Sequence, residues 1–189
     1  MPTNANLVIE SLRQAGISHC FGIPSGNTLP LLEAMRVHGM QYVLTAHEGS
    51  AGFAAGVTGR MTGRPGFCLV THGPGATNLA TGVGCAFLDR SPMLALTCNI
   101  PTPQLGRRVQ MHIDHHALFA PITKASLPLR NGKVAAMIAE AVRLALSEPQ
   151  GPVHLDLPED VALAPASETP VPVPAPSRGP PPAGAAITE

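Results

Sequence analysis

Apolar and polar positions alternate along the chain with two periods, one typical of helices and one typical of strands. Helical spacing or helix boundary residues predict helices at residues 4–16, 29–39, 48–62, 76–88, 115–119 and 134–146. Apolar runs predict strands at residues 19–22, 41–45, 67–71, 93–98, 122–126 and 153–157. The alternation of strand and helix predicts a doubly wound α/β domain with a mainly parallel sheet and helices on both faces.

The turns that follow these strands contain the candidate chemistry. In a doubly wound sheet, ligands bind outside the carboxyl ends of the strands. We therefore expect four turns to lie together on that edge, at residues 24–27, 47–49, 72–75 and 99–101.

One of these turns contains a carboxylate in a confined place. Residues 46–56 read Ala-His-Glu-Gly-Ser-Ala-Gly-Phe-Ala-Ala-Gly, so Glu48 lies where a strand passes into a helix. The small neighbours leave room for a ligand to pack against the backbone, and they predict a carboxyl that is shielded from water. We therefore expect Glu48 to contact a ligand.

A second turn, Gly73-Pro74-Gly75-Ala76-Thr77-Asn78, lies between a strand and a helix, where glycine-rich loops bind phosphate. Asn78 replaces the third glycine of a dinucleotide signature, and no lysine follows as a P-loop requires. A tight turn that needs two glycines is the alternative interpretation.

Other residue types suggest metal or thiol chemistry, but their spacing does not support it. A zinc-protease motif at His47-Glu48 fails because Ala51 replaces the second histidine. A metal site in residues 112–116 is not assigned, since neighbouring side chains cannot all point inward, and a solvated or interface loop is expected. The four cysteines form no Cys-x-x-Cys pair and predict reduced, buried thiols in a cytoplasmic protein: Cys20, Cys68, Cys85 and Cys98.

The composition narrows the classes of partner. The 189 residues are 44% hydrophobic and 13% charged, with a formal net charge of +0, which indicates a globular domain without nucleic-acid or membrane-surface attraction. No apolar run reaches the roughly 18 residues of a membrane span. Low charge with abundant Ala and Gly predicts a sizeable subunit or domain interface.

Proline becomes frequent near the end of the chain. Residues 166–189 contain seven prolines among Ala, Ser and Gly. This composition predicts a semi-extended linker at residues 165–189, leading towards a further domain, after a domain that spans residues 1–164. A linker in this position suggests that the chain is a fragment of a longer protein.

Five blocks in a fixed order resemble a known family. They lie at residues 46–49, 68–79, 100–102, 121–124 and 151–161. Together they resemble the N-terminal pyrimidine-binding domain of the acetohydroxyacid synthase (acetolactate synthase) branch of thiamine-diphosphate enzymes. The resemblance covers about residues 4–164.

The resemblance implies a mechanism and a set of site residues. In this family, the glutamate at the position of Glu48 hydrogen-bonds N1′ of the cofactor's aminopyrimidine and promotes loss of the thiazolium C2 proton. The enzyme then decarboxylates a 2-keto acid and passes the product to an acceptor. The residues implied to line the cofactor pocket are Pro24, Ser25, Gly26, His47, Gly73, Pro74, Gly75 and Asn78. Asn78 is expected to anchor the Gly73–Gly75 loop, and His47 is equally consistent with a packing role.

The sequence departs from the family on the acceptor side of the pocket. Gln110, Met111 and His112 replace the usual Phe-Gln-Glu, and Cys98-Asn99 replaces a Gly-Gln pair. Met111 and His112 are therefore substrate-side candidates, and acetolactate synthesis itself stays open. A related 2-keto acid decarboxylase or carboligase, a non-catalytic scaffold subunit and a free-standing nucleotide binder are the alternatives.

The resemblance also implies partners. In this family, Mg²⁺ and the diphosphate are bound by a C-terminal domain with a Gly-Asp-Gly motif, and FAD by a middle domain. Neither the motif nor the middle domain occurs in residues 1–189. The chain is expected to supply half a site and to pair with a diphosphate-binding domain or subunit, or to form a homo-oligomer. It should be inactive alone.

Overall fold

The computed structural model describes residues 1–173. Its helices are α1 (Asn4–Gln14), α2 (Leu29–His38), α3 (Glu48–Thr62), α4 (Pro74–Leu88), α5 (His115–Phe119), α6 (Val134–Leu146) and α7 (Glu159–Leu163). Its strands are β1 (His19–Gly22), β2 (Gln41–Leu44), β3 (Gly66–Val70), β4 (Met93–Asn99), β5 (Ala125–Pro128) and β6 (Pro152–Pro158).

The six strands form one sheet in the order β2-β1-β3-β4-β6-β5, and every neighbouring pair is parallel. The predicted doubly wound α/β architecture is confirmed. Because all strands run the same way, their carboxyl ends lie at one edge of the sheet. The connection from β1 leads outward to β2, and the chain then returns past β1 to β3. The switch point of the sheet therefore lies between β1 and β3.

Helices cover both faces because buried strand residues alternate between them. Phe67 and Leu69 of β3 pack into a core with α1, α2, α6 and α7. Cys68 and Val70 of the same strand pack into a second core with α3, α4 and α5. The continuous apolar run in β3 thus supplies side chains to two separate cores.

The helices α3 and α4 cross with their backbones in contact. A Cβ atom added to Gly52 would lie 2.9 Å from the Cα of Gly82, and one added to Gly82 would lie 2.7 Å from the Cα of Gly52. Four residues further along each helix, a Cβ atom added to Gly56 would lie at an ordinary distance of 3.5 Å from the Cβ of Ala86. The Gly and Ala content of α3 therefore permits a close helix crossing.

Two predictions of local structure were wrong in detail. The fifth strand was placed at residues 122–126, but it spans Ala125–Pro128, because Ala120–Ile122 forms a 3-10 turn. Directly after this turn, the hydroxyl of Thr123 donates a 2.8 Å hydrogen bond back to the carbonyl of Phe119. Helix α7 was not predicted, since Pro158 was interpreted only as the end of a strand. Pro158 is the N-cap of α7, whose first turn contains Glu159 and Asp160.

Residues 165–173 contain no helix, but they contact the folded part. The carboxylate of Glu168 accepts hydrogen bonds from the backbone amides of Val134 (2.9 Å) and Ala135 (3.2 Å) at the start of α6. The amide of Ala166 donates to the carbonyl of Pro2 at 2.9 Å. The rest of the predicted linker, residues 174–189, lies outside the described residues, and the boundary at residue 164 stays a prediction. Within residues 1–173, no helix is long and apolar enough to span a membrane.

Candidate functional site

The four predicted turns follow β1, β2, β3 and β4, so they lie on the carboxyl edge of the sheet as expected. Glu48 is the first residue of α3, and His47 is its N-cap. The Nδ1 atom of His47 accepts a hydrogen bond of 3.0 Å from the amide of Gly49. His47 therefore fixes the start of the helix, and the carboxylate of Glu48 lies at its positive end.

Glu48 is half-buried and is held on one side only. The side-chain amide of Asn78, in α4, donates a 3.0 Å hydrogen bond to Oε2 of Glu48. Among residues 1–173, no group donates a hydrogen bond to Oε1, so this oxygen is free for a ligand. Asn78 was expected to anchor the glycine loop, but its amide instead orients Glu48. The predicted shielding of the carboxyl is partial in this single chain.

Gly73 has a conformation that requires glycine. Its φ of +59° lies in the left-handed region, and a Cβ atom there would lie 1.9 Å from the carbonyl oxygen of Met111. A Cβ at Gly75 would lie 2.8 Å from Cγ2 of Thr71. Pro74 begins α4 between them. Both glycines thus make room for neighbouring protein atoms, which supports the tight-turn interpretation of this loop.

Asn27 joins the turn after β1 to the turn after β3. Its carbonyl oxygen accepts hydrogen bonds from the hydroxyls of Ser25 (2.7 Å) and Thr71 (3.0 Å). Its amide donates to Nδ1 of His72 at 2.7 Å. Burial lowers the pKa of His72, which favours the neutral ring that Asn27 requires.

Sequence reasoning missed Asn27 and His72 as site residues, although each is adjacent to a predicted one. Of the remaining predicted residues in the first turn, Pro24 and Gly26 are exposed. A Cβ atom at Gly26 would meet no atom within 4 Å, so the space beside this turn is open.

The two departures from the family meet at one cavity. Asn99, His112 and Asp156 are among the residues that line a space of about 230 Å³. His112 is half-buried, and its buried Nδ1 atom has no hydrogen-bond partner in the described chain. Met111 precedes it with a φ of +62° and lies against Gly73. The substrate-side candidates are therefore adjacent to the glycine loop.

Residues 112–116 were predicted to be a solvated or interface loop, and Asp114 is indeed exposed, but His115 is only 1% exposed. Its Nδ1 atom lies 2.8 Å from Oδ1 of Asp156, and its Nε2 atom lies 3.1 Å from the amide nitrogen of Gly73. Asp114 is the N-cap of α5 and accepts a hydrogen bond of 2.9 Å from the amide of Ala117. The sequence signal for this arrangement was the pair of polar residues His154 and Asp156 inside a strand whose other residues are apolar.

Asp156 is buried and hydrogen-bonded from three side chains. The hydroxyl of Thr97 donates to Oδ1 and the amide of Asn99 to Oδ2, each at 2.8 Å. Burial by itself would raise the pKa of Asp156, but the hydrogen bonds from His115 and Asn99 outweigh it and lower the pKa. Asp156 is therefore a carboxylate in the folded chain at neutral pH.

A second buried histidine, His154, continues this network. Its Nε2 atom lies 2.9 Å from the hydroxyl of Thr97, and its Nδ1 atom lies 2.7 Å from the hydroxyl of Ser126. Its ring stacks on Phe119 with a centroid distance of 4.3 Å. Burial lowers the pKa of His154 to about 3, against a smaller opposing effect of Asp156. The ring is therefore neutral in the folded chain.

Possible metal ligands do not cluster in residues 1–173, and three of the four cysteines are buried as predicted, whereas Cys85 is only half-buried. Within residues 1–173, no three His, Cys, Asp or Glu side chains are placed to hold a metal ion together. Burial raises the pKa of Cys68 to about 12, and it also raises the pKa values of Cys20 and Cys98. These three thiols are thus protonated and inert at neutral pH.

The fold and the site together define a class of protein: a doubly wound α/β domain with its candidate ligand site at the carboxyl ends of its strands. The family described as "Thiamine pyrophosphate enzyme, N-terminal TPP binding domain" matches residues 2–118. The chain belongs to this family, and the resemblance inferred from the five sequence blocks is confirmed.

Several curated proteins are similar over most of the chain. An acetolactate synthase of Arthrospira platensis is 40% identical over 174 residues, which cover 89% of this chain and 30% of that protein. An acetolactate synthase of Bacillus subtilis is 37% identical over 158 residues, covering 83% and 28%. The acetolactate synthase isozyme 2 large subunit of Escherichia coli is 37% identical over 161 residues, covering 85% and 29%. The chain thus spans about 30% of the length of these relatives.

Proposed function

We propose that this chain is the pyrimidine-binding half of a thiamine-diphosphate enzyme that decarboxylates or ligates 2-keto acids, as the named acetolactate synthases suggest. The observation that carries the proposal is Glu48 itself. Its carboxylate lies at the start of α3, is oriented through Oε2 by Asn78, and has Oε1 free of any donor in residues 1–173. An aminopyrimidine that binds through N1′ requires a single carboxyl of this kind.

The residues of the chain have separate roles in this proposal. Glu48 would hold a proton at Oε1 and share it with N1′, while Asn78 and the His47 cap keep the carboxyl in place. The backbones at Gly73–Gly75 and at Pro24–Gly26 would line the ring, with Met111 and His112 on the substrate side. When bound, thiamine diphosphate supplies an acidic thiazolium carbon and the electron sink that decarboxylation of a 2-keto acid requires.

The remaining parts of the site are proposed to lie on other domains or subunits. Mg²⁺ with the diphosphate, and FAD where it is used, would be held outside this chain. An apolar surface supports a partner: Phe53, Val57 and Met61 are spaced by four residues on α3 and are 45%, 61% and 80% exposed. A homo-oligomer or a diphosphate-binding partner would cover this surface. The cytoplasmic location stays a prediction that rests on the free cysteines.

The test is the exchange of the C2 proton of thiamine diphosphate in the assembled enzyme, which combines this chain with the diphosphate-binding part. We expect Glu48→Gln to slow this exchange by about 10²- to 10⁴-fold, the usual contribution of a positioned acid or base. Deuterium uptake at C2, followed by quenched-flow NMR, measures the effect.

Glu140→Gln is the matched control, because it changes an exposed carboxylate on α6, outside the site. It should leave the exchange rate unchanged. An exchange rate in Glu48→Gln equal to that of the control would contradict the proposed role of Glu48. A non-catalytic scaffold predicts that equality, and it also predicts no loss of turnover in the assembly.

A second candidate is a 2-keto acid decarboxylase or carboligase with a different acceptor. The cavity lined by Asn99 and His112 favours it, since these residues replace the family's usual side chains there. Identification of the products formed from pyruvate, alone and with an aldehyde, distinguishes it from an acetolactate synthase.

A further inference from the structure

A buried hydrogen-bonded link runs from the sheet to the glycine loop. It starts at Asp156 on β6, passes through the ring of His115 on α5, and ends at the backbone amide of Gly73 before α4. We propose that His115 is a positioning residue that fixes the Gly73–Gly75 loop in the site, and that Asp156 selects the ring tautomer this requires.

The directions of the hydrogen bonds assign the protons on His115. The backbone amide of Gly73 can only donate, so Nε2 of His115 must be the acceptor and carries no proton. The ring is then neutral, with its proton on Nδ1, and it donates to Oδ1 of Asp156 at 2.8 Å. This is the tautomer that a carboxylate partner favours.

Asp156 is itself prevented from turning away. The hydroxyl of Thr97 donates to Oδ1 and the amide of Asn99 to Oδ2, both from the neighbouring strand β4. Residues 97 and 156 are paired in the β4–β6 register, so the sheet fixes this arrangement. Protein groups therefore hold both carboxylate oxygens, with His115 as one of the donors.

Gly73 has little freedom of its own. The carbonyl of Met111 occupies the space where a Cβ would lie, and the carbonyl of Gly73 accepts the first hydrogen bond of α4, from Thr77 at 3.0 Å. The hydrogen bond from the Gly73 amide to His115 is the third contact on Gly73. Loss of that contact frees the peptide plane that precedes Gly73, and with it the loop on which Pro74 and Gly75 lie.

The catalytic consequence rests on the proposed function, because only a bound cofactor makes the position of this loop matter for rate. The hydrogen-bond assignment does not rest on it. The two parts therefore have separate measurements, and each can fail without the other.

The first measurement uses the 189-residue chain with ¹⁵N in glycine amides and histidine rings. We expect a scalar coupling across the hydrogen bond between the Gly73 amide nitrogen and Nε2 of His115. We also expect Nε2 to show the shift of an unprotonated nitrogen, and Asp156→Asn to move the proton toward Nε2. Absence of the coupling together with a protonated Nε2 in the wild type overturns the inference.

The second measurement is C2 proton exchange and cofactor affinity in the assembled enzyme. We expect His115→Leu and Asp156→Asn to lower the exchange rate about 10- to 100-fold, the cost of a small misplacement near a reacting group. His115→Gln should recover part of this loss, because its amide offers both an acceptor and a donor. His38→Gln, at the end of α2, is the control and should match the wild type.

Two outcomes distinguish a failure of the positioning role of His115 from a failure of the proposed function. Wild-type exchange in His115→Leu, while Glu48→Gln is slow, overturns the positioning role and leaves the proposed function in place. Unchanged exchange in Glu48→Gln overturns the proposed function and the catalytic part of this inference. Circular dichroism identifies a variant that has unfolded, and the wild-type coupling tests the hydrogen bond without any substitution.

Discussion

At the scale of single residues, the histidines differ in role because their surroundings differ. His47 caps a helix from an exposed position, whereas His115 and His154 are buried between β6 and α5. His154 stands where an apolar side chain would fit the strand pattern, and its two hydroxyl partners make its burial tolerable. Because the folded chain keeps this buried ring neutral, acid favours the unfolded state, in which the ring can be protonated.

We predict that acid destabilises the chain through His154. Its pKa of about 3 when folded lies below the value of about 6.5 in an unfolded chain. The unfolded state therefore binds a proton that the folded state does not, so stability is complete above pH 6.5 and falls as the pH drops toward 3. The expected slope is about 1.4 kcal/mol per pH unit, measured by urea unfolding across this range.

His154→Gln should flatten this slope while keeping hydrogen bonds to Thr97 and Ser126. His38→Gln should retain the slope of the wild type. Equal slopes in all three proteins would show that another group governs the acid sensitivity in this range. Asp156 adds a loss only at lower pH, near and below about 4, because its depressed pKa delays protonation in the folded chain.

At the scale of elements, the site depends on how α3 crosses α4. Glu48 and Asn78 are hydrogen-bonded, and one turn further along, Gly52 and Gly82 are in backbone contact. The two pairs lie four residues apart on both helices. The distance between the helices at Gly52 and Gly82 therefore sets the distance between the Glu48 carboxylate and the Asn78 amide.

We predict that Gly52→Ala costs about 1–3 kcal/mol in the free energy of unfolding, because its methyl group would push against the Gly82 backbone. Gly56→Ala is the matched control on the same helix. Its methyl group meets Ala86 at 3.5 Å, so it should be neutral or stabilise by up to about 1 kcal/mol. Chemical denaturation compares the two. Equal stability of the variants would mean that the helices do not cross this closely.

At the scale of the whole molecule, one helix layer carries an exposed apolar surface and is expected to be covered by a partner. Phe53, Val57 and Met61 lie on α3, and Phe87 and Leu88 lie at the end of α4. The other layer has an exposed valine of similar accessibility, Val37 on α2. The two valines allow a matched comparison of the two faces.

We predict that Val57→Lys weakens the association of this chain with its partner or with itself by at least about tenfold, or about 1.4 kcal/mol. A lysine on the covered surface would lose hydration without gaining an opposite charge. Val37→Lys, on the opposite layer, should leave association unchanged. Sedimentation velocity over a range of concentrations measures both. Equal effects of the two substitutions would contradict an interface on α3.

The sequence by itself determined the order of the six strands and of helices α1 to α6, the parallel sheet and the positions of the four turns. It could do so because apolar periodicity and glycine-rich boundaries are local signals. Ordered sequence blocks also identified the family and singled out Glu48. The misplaced fifth strand and the unpredicted helix α7 show the limit of local signals. At both, a proline lies next to the first residue of a 3-10 turn or helix, and the flanking residues give no separate signal for that element.

Only the tertiary structure decided which side chains meet. Asn78 orients Glu48, Asn27 joins two turns, and His115 connects Asp156 to Gly73, although 42 positions separate His115 from Gly73 and 41 separate it from Asp156. Residue type alone does not distinguish a histidine on a solvated loop from a histidine in a buried network. Its burial depends on packing of α5 against β6, and no local pattern encodes that contact.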